Sequence, residues 1–155
     1  MQFVANEDIE APVEFVIEQL SDFAALERSA LRHGAEVQRT DTMTAPGLGM
    51  TWDASYDLRR YRLNMALELK QFDPPNGMVI EGESSTFGGL ITLDLVALFR
   101  LRTRIRLRVD VRARTLPAHL FLQSFKLARV HPCTIFKAKA ADYSARLEER
   151  YKSLK

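Results

Sequence analysis

The chain has 155 residues, of which 46% are hydrophobic and 27% charged, values typical of a globular domain. This length predicts a single domain over residues 1–155 that can bury a sizeable core. With 7 glycines, 6 prolines and 1 cysteine, the composition excludes collagen-like, disordered and disulfide-scaffold proteins.

Charge is distributed unevenly along the chain, although the net charge is only +2. Residues 1–58 contain 11 acidic and 3 basic residues, whereas residues 59–155 contain 9 acidic and 19 basic residues. Both halves show apolar periodicity, so neither is a charged tail. We therefore expect the two halves to interleave in one fold, with opposite charges meeting across neighbouring strands.

The sequence also carries an expectation about location. Its first residues are acidic and lack a basic n-region, no apolar run is long enough to cross a bilayer, and no N-x-[ST] sequon is present. The single cysteine suits a reducing compartment. A cytoplasmic location is therefore expected.

The N-terminal elements are a strand and a helix pair. Residues 2–9 alternate loosely, as in a first strand. Pro12 sits at an early helical position, where its missing N–H costs little. Ser21 or Asp22 can cap a second helix, and Gly34 is placed to end it in the left-handed conformation. The pattern predicts two short helices.

From residue 35 to about residue 114 the sequence has period two. A weaker strand over 35–41 precedes strands at 50–59, 61–70, 78–84, 90–99 and 101–114. The run Asp73-Pro74-Pro75-Asn76-Gly77 predicts one turn, and Gly88-Gly89 predicts another. Such alternation indicates antiparallel strands with one buried face and one wet face.

A helical period then extends from Leu116 to about Tyr151. Pro132 interrupts it because proline lacks the N–H that would bond the carbonyl of Ala128. A kink or break is expected near Val130–Cys133. A strongly bent sheet with this long helix across its concave face would bury both partners and could leave space between them.

Three short motifs occur at the element junctions: Ile9-x-Ala11-Pro12, Leu20-x-Asp22-Phe23 and Gly49-x-x-Trp52. In this order, followed by an arginine-rich final strand and a long helix, the chain resembles the SRPBCC (START-like, polyketide cyclase/dehydrase-like) superfamily. The resemblance implies an α+β helix-grip fold of β-α-α-β6-α order, with seven antiparallel strands wrapped around a Pro-kinked C-terminal helix. It also implies a cavity for an apolar or amphipathic ligand, and no single reaction.

The alternation along each strand indicates which side chains face the helix, and these are the candidate lining of a cavity. Ligand pockets are mostly apolar with a few placed polar groups, although the same pattern would also fill a closed core. The small inward residues Gly82 and Ser84 favour open space. The candidate ligand-cavity residues are Met50, Trp52, Tyr56, Tyr61, Met65, Met78, Ile80, Phe99, Thr103, Ile105, Phe121, Phe125, Ala128 and Ile135.

Arginines alternate with apolar residues along the last strand and are expected on its convex, wet face. This exposed basic face comprises Arg102, Arg104, Arg106 and Arg108. It could dock on an anionic membrane surface, or it could pair across strands with Asp8, Glu81, Glu83 and Asp94. It lacks the exposed aromatics that RNA-binding strands use, so nucleic acid is the weaker partner.

No catalytic or metal-binding constellation is recognisable. His119 and His131 are too far apart to share a metal by local spacing, so no metal and no cofactor is expected. Cys133 could be a reactive thiol at a helix start or a small buried residue. Glu7 lies on the same face of the first strand as Phe3 and Ile9. It could therefore point inward and act as an acid or base, or it could remain solvent-exposed on a frayed strand.

These observations favour a binding or carrier protein for a hydrophobic or amphipathic small molecule, such as a lipid, a polyketide or an isoprenoid-like compound. One alternative is a cyclase or dehydratase that uses the same cavity, for which no catalytic set is apparent. A second alternative is a module that docks on a membrane or a partner through the arginine face.

Overall fold

The computed structural model describes residues 1–58, 61–128 and 131–154. The first half of the chain forms β1 (Gln2–Ile9), α1 (Val13–Leu20), α2 (Phe23–Arg32), β2 (Glu36–Arg39) and β3 (Thr51–Leu58). Then follow β4 (Tyr61–Asp73), β5 (Gly77–Glu83), β6 (Phe87–Phe99) and β7 (Arg102–Ala113). The last elements are α3 (Leu116–Ser124), a 3₁₀ turn (Phe125–Leu127) and α4 (Pro132–Ser153).

The strands form a single seven-stranded antiparallel sheet in the order β1-β7-β6-β5-β4-β3-β2. The predicted α+β class and strand number are therefore confirmed. Every neighbour except β1–β7 is also a neighbour in sequence, as expected for a meander. The register shifts between Leu69 and Gln71 in β4 and between Ala97 and Phe99 in β6, and such bulges bend the strands.

The helix pair is defined by its caps. The Asp22 carboxylate accepts a hydrogen bond from the Ala25 N–H at 3.2 Å, so Asp22 is the N-cap of α2. Gly34 has φ +90° just after the helix, a conformation that glycine adopts without steric cost. Both predicted boundaries of the second helix are confirmed.

Gly88 and Gly89 lie inside β6, so the turn predicted at this pair is wrong. The turn lies at Ser84–Thr86, where the Ser84 hydroxyl accepts hydrogen bonds from the N–H groups of Thr86 and Phe87. A Cβ on Gly89 would lie 2.4 Å from the Asp110 carbonyl oxygen. The glycine pair therefore marks a close approach of two backbones within the sheet.

Of the kink or break expected near Val130–Cys133, the described residues show the break, with two helices in place of one Pro-kinked helix. The chain leaves helical geometry at Ala128 and re-enters it at Pro132, which is the first residue of α4. A proline is well tolerated there because the first N–H groups of a helix have no intrahelical partner. Val130 lies outside the described residues. Cys133 is half-buried in the first turn of α4.

The core lies between the helices and one face of the sheet. The helix α4 packs mainly over β1, and α1 contacts β6 and β7. Leu147 of α4 is 1% exposed and belongs to the same cluster as Ile9, Val16 and Trp52. No helix within the described residues is long and apolar enough to span a bilayer.

Replacing Leu147 by Ala tests how far this contact holds α4 on the sheet. The change leaves a cavity in a closely packed site, so we expect a loss of about 3 kcal/mol in the free energy of unfolding. Leu154 of the same C-terminal segment is 69% exposed, and Leu154→Ala serves as the matched control with a change under about 0.5 kcal/mol. Urea unfolding followed by circular dichroism measures both values. Equal losses would contradict the assigned packing of α4.

Candidate functional site

A cavity of about 470 Å³ lies between the sheet, α2 and α4. The sheet contributes residues from β1 to β7, the helix α2 contributes Phe23, Leu26 and Glu27, and α4 contributes residues from Phe136 to Ser144. The volume falls within the range of pockets that hold small organic molecules. The space between sheet and helix that the sequence permits is thus present.

The cavity wall is predominantly apolar. Fifteen of its twenty lining residues carry apolar side chains. They are Ala5, Leu20, Phe23, Leu26, Val37, Trp52, Leu67, Met78, Ile80, Ile91, Leu93, Ile105, Leu107, Phe136 and Ala140. A wall of this kind binds apolar surface because burial removes that surface from water.

Trp52, the single tryptophan of the chain, is fixed in this wall by contacts on several sides. Its indole N–H donates a hydrogen bond to the Glu27 carboxylate at 2.7 Å. The Phe23 ring packs against it with centroids 5.3 Å apart, and the Arg39 guanidinium lies 5.9 Å from the ring centroid. Trp52 therefore links α2 to β3 at the cavity.

Four further polar groups line the cavity without a hydrogen-bond partner among the described residues: Glu7, Lys139, Tyr143 and Ser144. Lys139 and Tyr143 are one turn apart on α4, and Ser144 is 6% exposed. Burial raises the pKa of Tyr143, so its phenol remains protonated and able to donate at neutral pH. An apolar cavity with unused donors and acceptors suits an amphipathic guest.

Strand phase and structure agree for part of the candidate lining. The structure brings Trp52, Met78, Ile80 and Ile105 together on the cavity wall, as their inward phase suggests. Glu7 also lines the cavity and is half-buried, which corresponds to the inward alternative for this residue.

Three candidate lining residues are buried or half-buried away from the cavity. Met50 is 2% exposed in the core, and Thr103 is fully buried, with its hydroxyl donating to the Ala11 carbonyl at 2.8 Å. Met65 fills the space beside Gly82, where an added Cβ would lie 2.7 Å from its Sδ. The room that Gly82 leaves is thus occupied by Met65.

The remaining candidates lie near the ends of the elements. Tyr56, Ile135 and Phe99 are 42%, 47% and 72% exposed, and Phe99 follows the bulge in β6. Ala128 ends the 3₁₀ turn and is not among the described cavity residues. The Tyr61 side chain lies outside the described part of the structure.

Phe121 and Phe125 pack away from the cavity, at one end of β6. The ring centroids of Phe121 and Phe87 are 6.2 Å apart, and those of Phe121 and Phe125 are 5.0 Å apart. The helix break before Pro132 explains this placement, because α3 and α4 cover different parts of the sheet.

Cavity residues that the candidate lining lacks include Leu67, Ile91, Leu93 and Leu107 on the sheet, and Glu27, Phe136, Lys139, Ala140, Tyr143 and Ser144 on the helices. Phe136, Ala140 and Tyr143 are spaced as residues on one face of a helix. If α4 is treated as a separate helix that begins at Pro132, this spacing predicts that the three residues face the sheet. Glu27 carries no sequence signal, because its role depends on the position of Trp52 across 25 residues.

The arginine face of β7 is largely paired. Arg104 donates to Asp8 at 2.9 Å, Arg102 donates to Glu10 at 2.6 Å, and Arg108 lies 3.5 Å from Asp110. Arg114 contacts Glu83. Of the expected partners, Asp8 and Glu83 form ion pairs, whereas Glu81 and Asp94 form none with the arginines within the described residues. Arg106 is exposed and has no ion-pair partner in the same part of the chain.

Comparison with known proteins yields matches in structure only, since no family model and no curated sequence matches the chain. The protein TTHA0849 from Thermus thermophilus is 15% identical, with 99% of both chains covered and a TM-score of 0.69. The ZhuI aromatase/cyclase from a Streptomyces species is 14% identical, with 100% of this chain and 96% of that chain covered and a TM-score of 0.68. Ginseng major latex-like protein 151 from Panax ginseng is 9% identical, with 80% and 91% covered and a TM-score of 0.57.

The likeness to these solved structures shows a shared fold. The chain therefore has a helix-grip fold, in which an antiparallel sheet packs against a long C-terminal helix, as the sequence predicts.

The segment after β2 is held beside Trp52 by one carboxylate. Asp41 accepts hydrogen bonds from the Arg39 guanidinium at 2.8 Å, from the Thr51 N–H at 2.9 Å and from the Met43 N–H at 2.8 Å. These bonds, that of Arg39 above all, hold the pKa of Asp41 well below its ordinary value of 3.8. The ionised form is thus favoured in the folded state.

Asp41→Asn tests this arrangement through pH. A carboxyl whose pKa is lowered by folding stabilises the protein above its ordinary pKa, and this contribution is lost as the pH falls below that value. We therefore expect the variant to unfold at a lower temperature than the parent at pH 7, with the difference shrinking between pH 4 and pH 2. Thermal unfolding over this range measures it, with the exposed Asp53→Asn as control. A difference independent of pH would contradict the assigned role of the Asp41 charge.

Proposed function

We propose that the chain binds and carries a hydrophobic or amphipathic small molecule in the cavity between the sheet, α2 and α4. The single observation that carries the proposal is the cavity of about 470 Å³ with fifteen apolar residues among the twenty that line it. The guest's apolar body would lie against these side chains. Its polar group would meet Glu7, Tyr143 or Ser144.

The apolar area that a guest buries gives an upper limit for its affinity. A guest that buries ~300 Å² of apolar surface gains ~7 kcal/mol at ~25 cal/mol per Å², before the costs of association. Without those costs, ~7 kcal/mol corresponds to a dissociation constant of ~10 μM, so this term alone gives micromolar binding at its tightest. Such an affinity allows both uptake and release, which is what a carrier requires. A cytoplasmic location and a lipid, polyketide or isoprenoid-like guest remain part of the proposal.

A cyclase or dehydratase is the second candidate, favoured by the ionisable groups on the wall. Ring closure by carbonyl condensation and loss of water needs a base for a carbon-bound proton and a donor for the carbonyl oxygen. Glu7 could supply the base and the protonated Tyr143 phenol the donor. The aromatase/cyclase with the same fold lends this candidate support. Docking through the arginine face is less favoured, because Arg102 and Arg104 are already paired.

Filling the cavity tests binding. Ala140 lines the cavity and Ala141, the next residue, is exposed, so Ala140→Phe and Ala141→Phe form a matched pair. We expect Ala140→Phe to weaken binding of the neutral probe N-phenyl-1-naphthylamine at least tenfold, because the new ring occupies the guest's space. Ala141→Phe should leave it within twofold.

The fluorescence of Trp52 measures binding in this experiment. Trp52 is the only tryptophan and lies in the cavity wall, so a bound guest is expected to quench its emission. Thermal unfolding of both variants controls for the fold. Absence of probe binding to the parent chain, or equal weakening by the two substitutions, would overturn the proposal.

Tyr143→Phe tests the polar part of the site. The substitution keeps the ring and removes the only hydrogen-bond donor of the side chain. We expect about five- to tenfold weaker binding of 2-naphthol and a change under twofold for 2-methylnaphthalene, the net value of one hydrogen bond. Competition against the fluorescent probe measures both affinities. Equal weakening of the two compounds would contradict a polar contact from Tyr143.

Glu7→Gln separates the carrier from the enzyme. A carrier retains its function when only proton transfer is lost, whereas an enzyme that uses Glu7 as base does not. Conversion of a poly-β-ketone mimic to a cyclic, dehydrated product by the parent chain, and its loss in Glu7→Gln with binding intact, would favour the enzyme. Absence of any product with the parent chain would favour the carrier.

A further inference from the structure

The segment that joins β7 to α4 has an unusual composition. From Val111 to Ala141 the sequence contains six Lys or Arg residues and two His residues, and it contains no Asp or Glu. The nearest acids are Asp110 and Asp142, one at each boundary. Over these 31 residues every formally charged side chain is therefore basic.

Within this stretch, α3 is apolar on two sides. Its inner side is already packed, because Ala118 is 2% exposed and the rings of Phe121 and Phe87 lie 6.2 Å apart. Its outer side presents Leu116 and Leu120, one turn apart and 70% and 59% exposed. The exposed His119 and Gln123, 3.5 Å apart, are the polar neighbours of these leucines on the helix.

The 3₁₀ turn that follows adds two exposed side chains close in sequence to α3. Leu127 is 89% exposed, and the exposed Lys126 beside it has no ion-pair partner among the described residues. The exposed Arg112, just before α3, is likewise without an ion pair in the described part of the chain. We call Leu116, Leu120, Leu127 and Lys126 the α3 surface. It combines exposed leucines with uncompensated positive charge.

We propose that the α3 surface docks on a membrane that contains anionic lipids. Leucines inserted at the level of the headgroups would lose contact with water, and nearby Lys and Arg would meet the negative surface. Clusters of exposed large apolar residues are uncommon on monomeric proteins and mark interaction sites. The proposal does not depend on the guest carried in the cavity.

Two other occupants fit the same surface less well. A second copy joined by two-fold symmetry would place the same positive segment opposite itself, and like charges repel. Nucleic acid would use exposed aromatics for stacking, and the α3 surface presents leucines instead. The charge pattern and the side-chain type together favour lipid.

Position connects this surface with the cavity. Phe87, on which α3 packs, lies on β6 four residues before Ile91, which lines the cavity, a separation of ~13 Å along a strand. A bilayer against α3 would thus lie close to one end of the cavity. A carrier docked in this way could exchange an apolar guest with the bilayer over a short distance.

Vesicle flotation tests the proposal with the full chain. The probes are vesicles of phosphatidylcholine alone and of phosphatidylcholine with 30% phosphatidylglycerol. We expect at least tenfold stronger binding to the anionic vesicles, weakened by 0.5 M NaCl because salt screens the charges. The double variant Leu120→Gln/Leu127→Gln should bind at least tenfold more weakly, and Lys126→Glu about threefold more weakly.

The matched control is Leu31→Gln/Leu154→Gln, which removes two leucines of similar exposure, 63% and 69%, outside the segment. It should bind within twofold of the parent chain, as should the cavity-filled Ala140→Phe. Equal binding to neutral and anionic vesicles, or equal weakening by the control pair, would overturn the proposal. So would sedimentation velocity that shows a dimer dissociated by Leu120→Gln/Leu127→Gln. Unchanged probe binding and thermal unfolding confirm that these surface variants are folded.

Discussion

The pairing of β1 with β7 is the interaction on which the remaining architecture depends. It joins residues about a hundred positions apart, from Gln2 opposite Asp110 to Ile9 opposite Thr103. Buried and ionic contacts reinforce it: the Thr103 hydroxyl bonds the Ala11 carbonyl, and Arg104 pairs with Asp8. Without this pairing, the N-terminal helices and the C-terminal helix would have no common surface. Contacts between residues so far apart in sequence form late in folding, and folds that depend on them fold slowly.

The cavity is a consequence of how two distant segments meet over that sheet. The helix α2 is attached through the Glu27–Trp52 hydrogen bond, and α4 is attached through Leu147 and its contacts with β1. Neither helix covers the whole inner face, so space is left between them. Four polar residues in that space, Glu7, Lys139, Tyr143 and Ser144, have no side-chain hydrogen-bond partner among the described residues, which distinguishes it from a simple packing defect.

Sequence patterns predicted the sheet and the helix pair because period-two alternation and capping residues act locally. They placed Trp52 and Ile80 on the inner face for the same reason. They failed where position depends on distant contacts. The candidate lining takes helical residues from both sides of Pro132, whereas α3 contacts β7 and α4 packs over β1. The exposure of Phe99 follows from a bulge that alternation does not reveal.

The sheet remains open, with β1 at one edge and β2 at the other. Helices, and not a further strand, span the gap over the cavity. Displacing a helix or a side chain can therefore widen the opening while every strand-to-strand hydrogen bond persists. Opening of the cavity is thus decoupled from global unfolding, and a mutation that strengthens the sheet need not slow the opening.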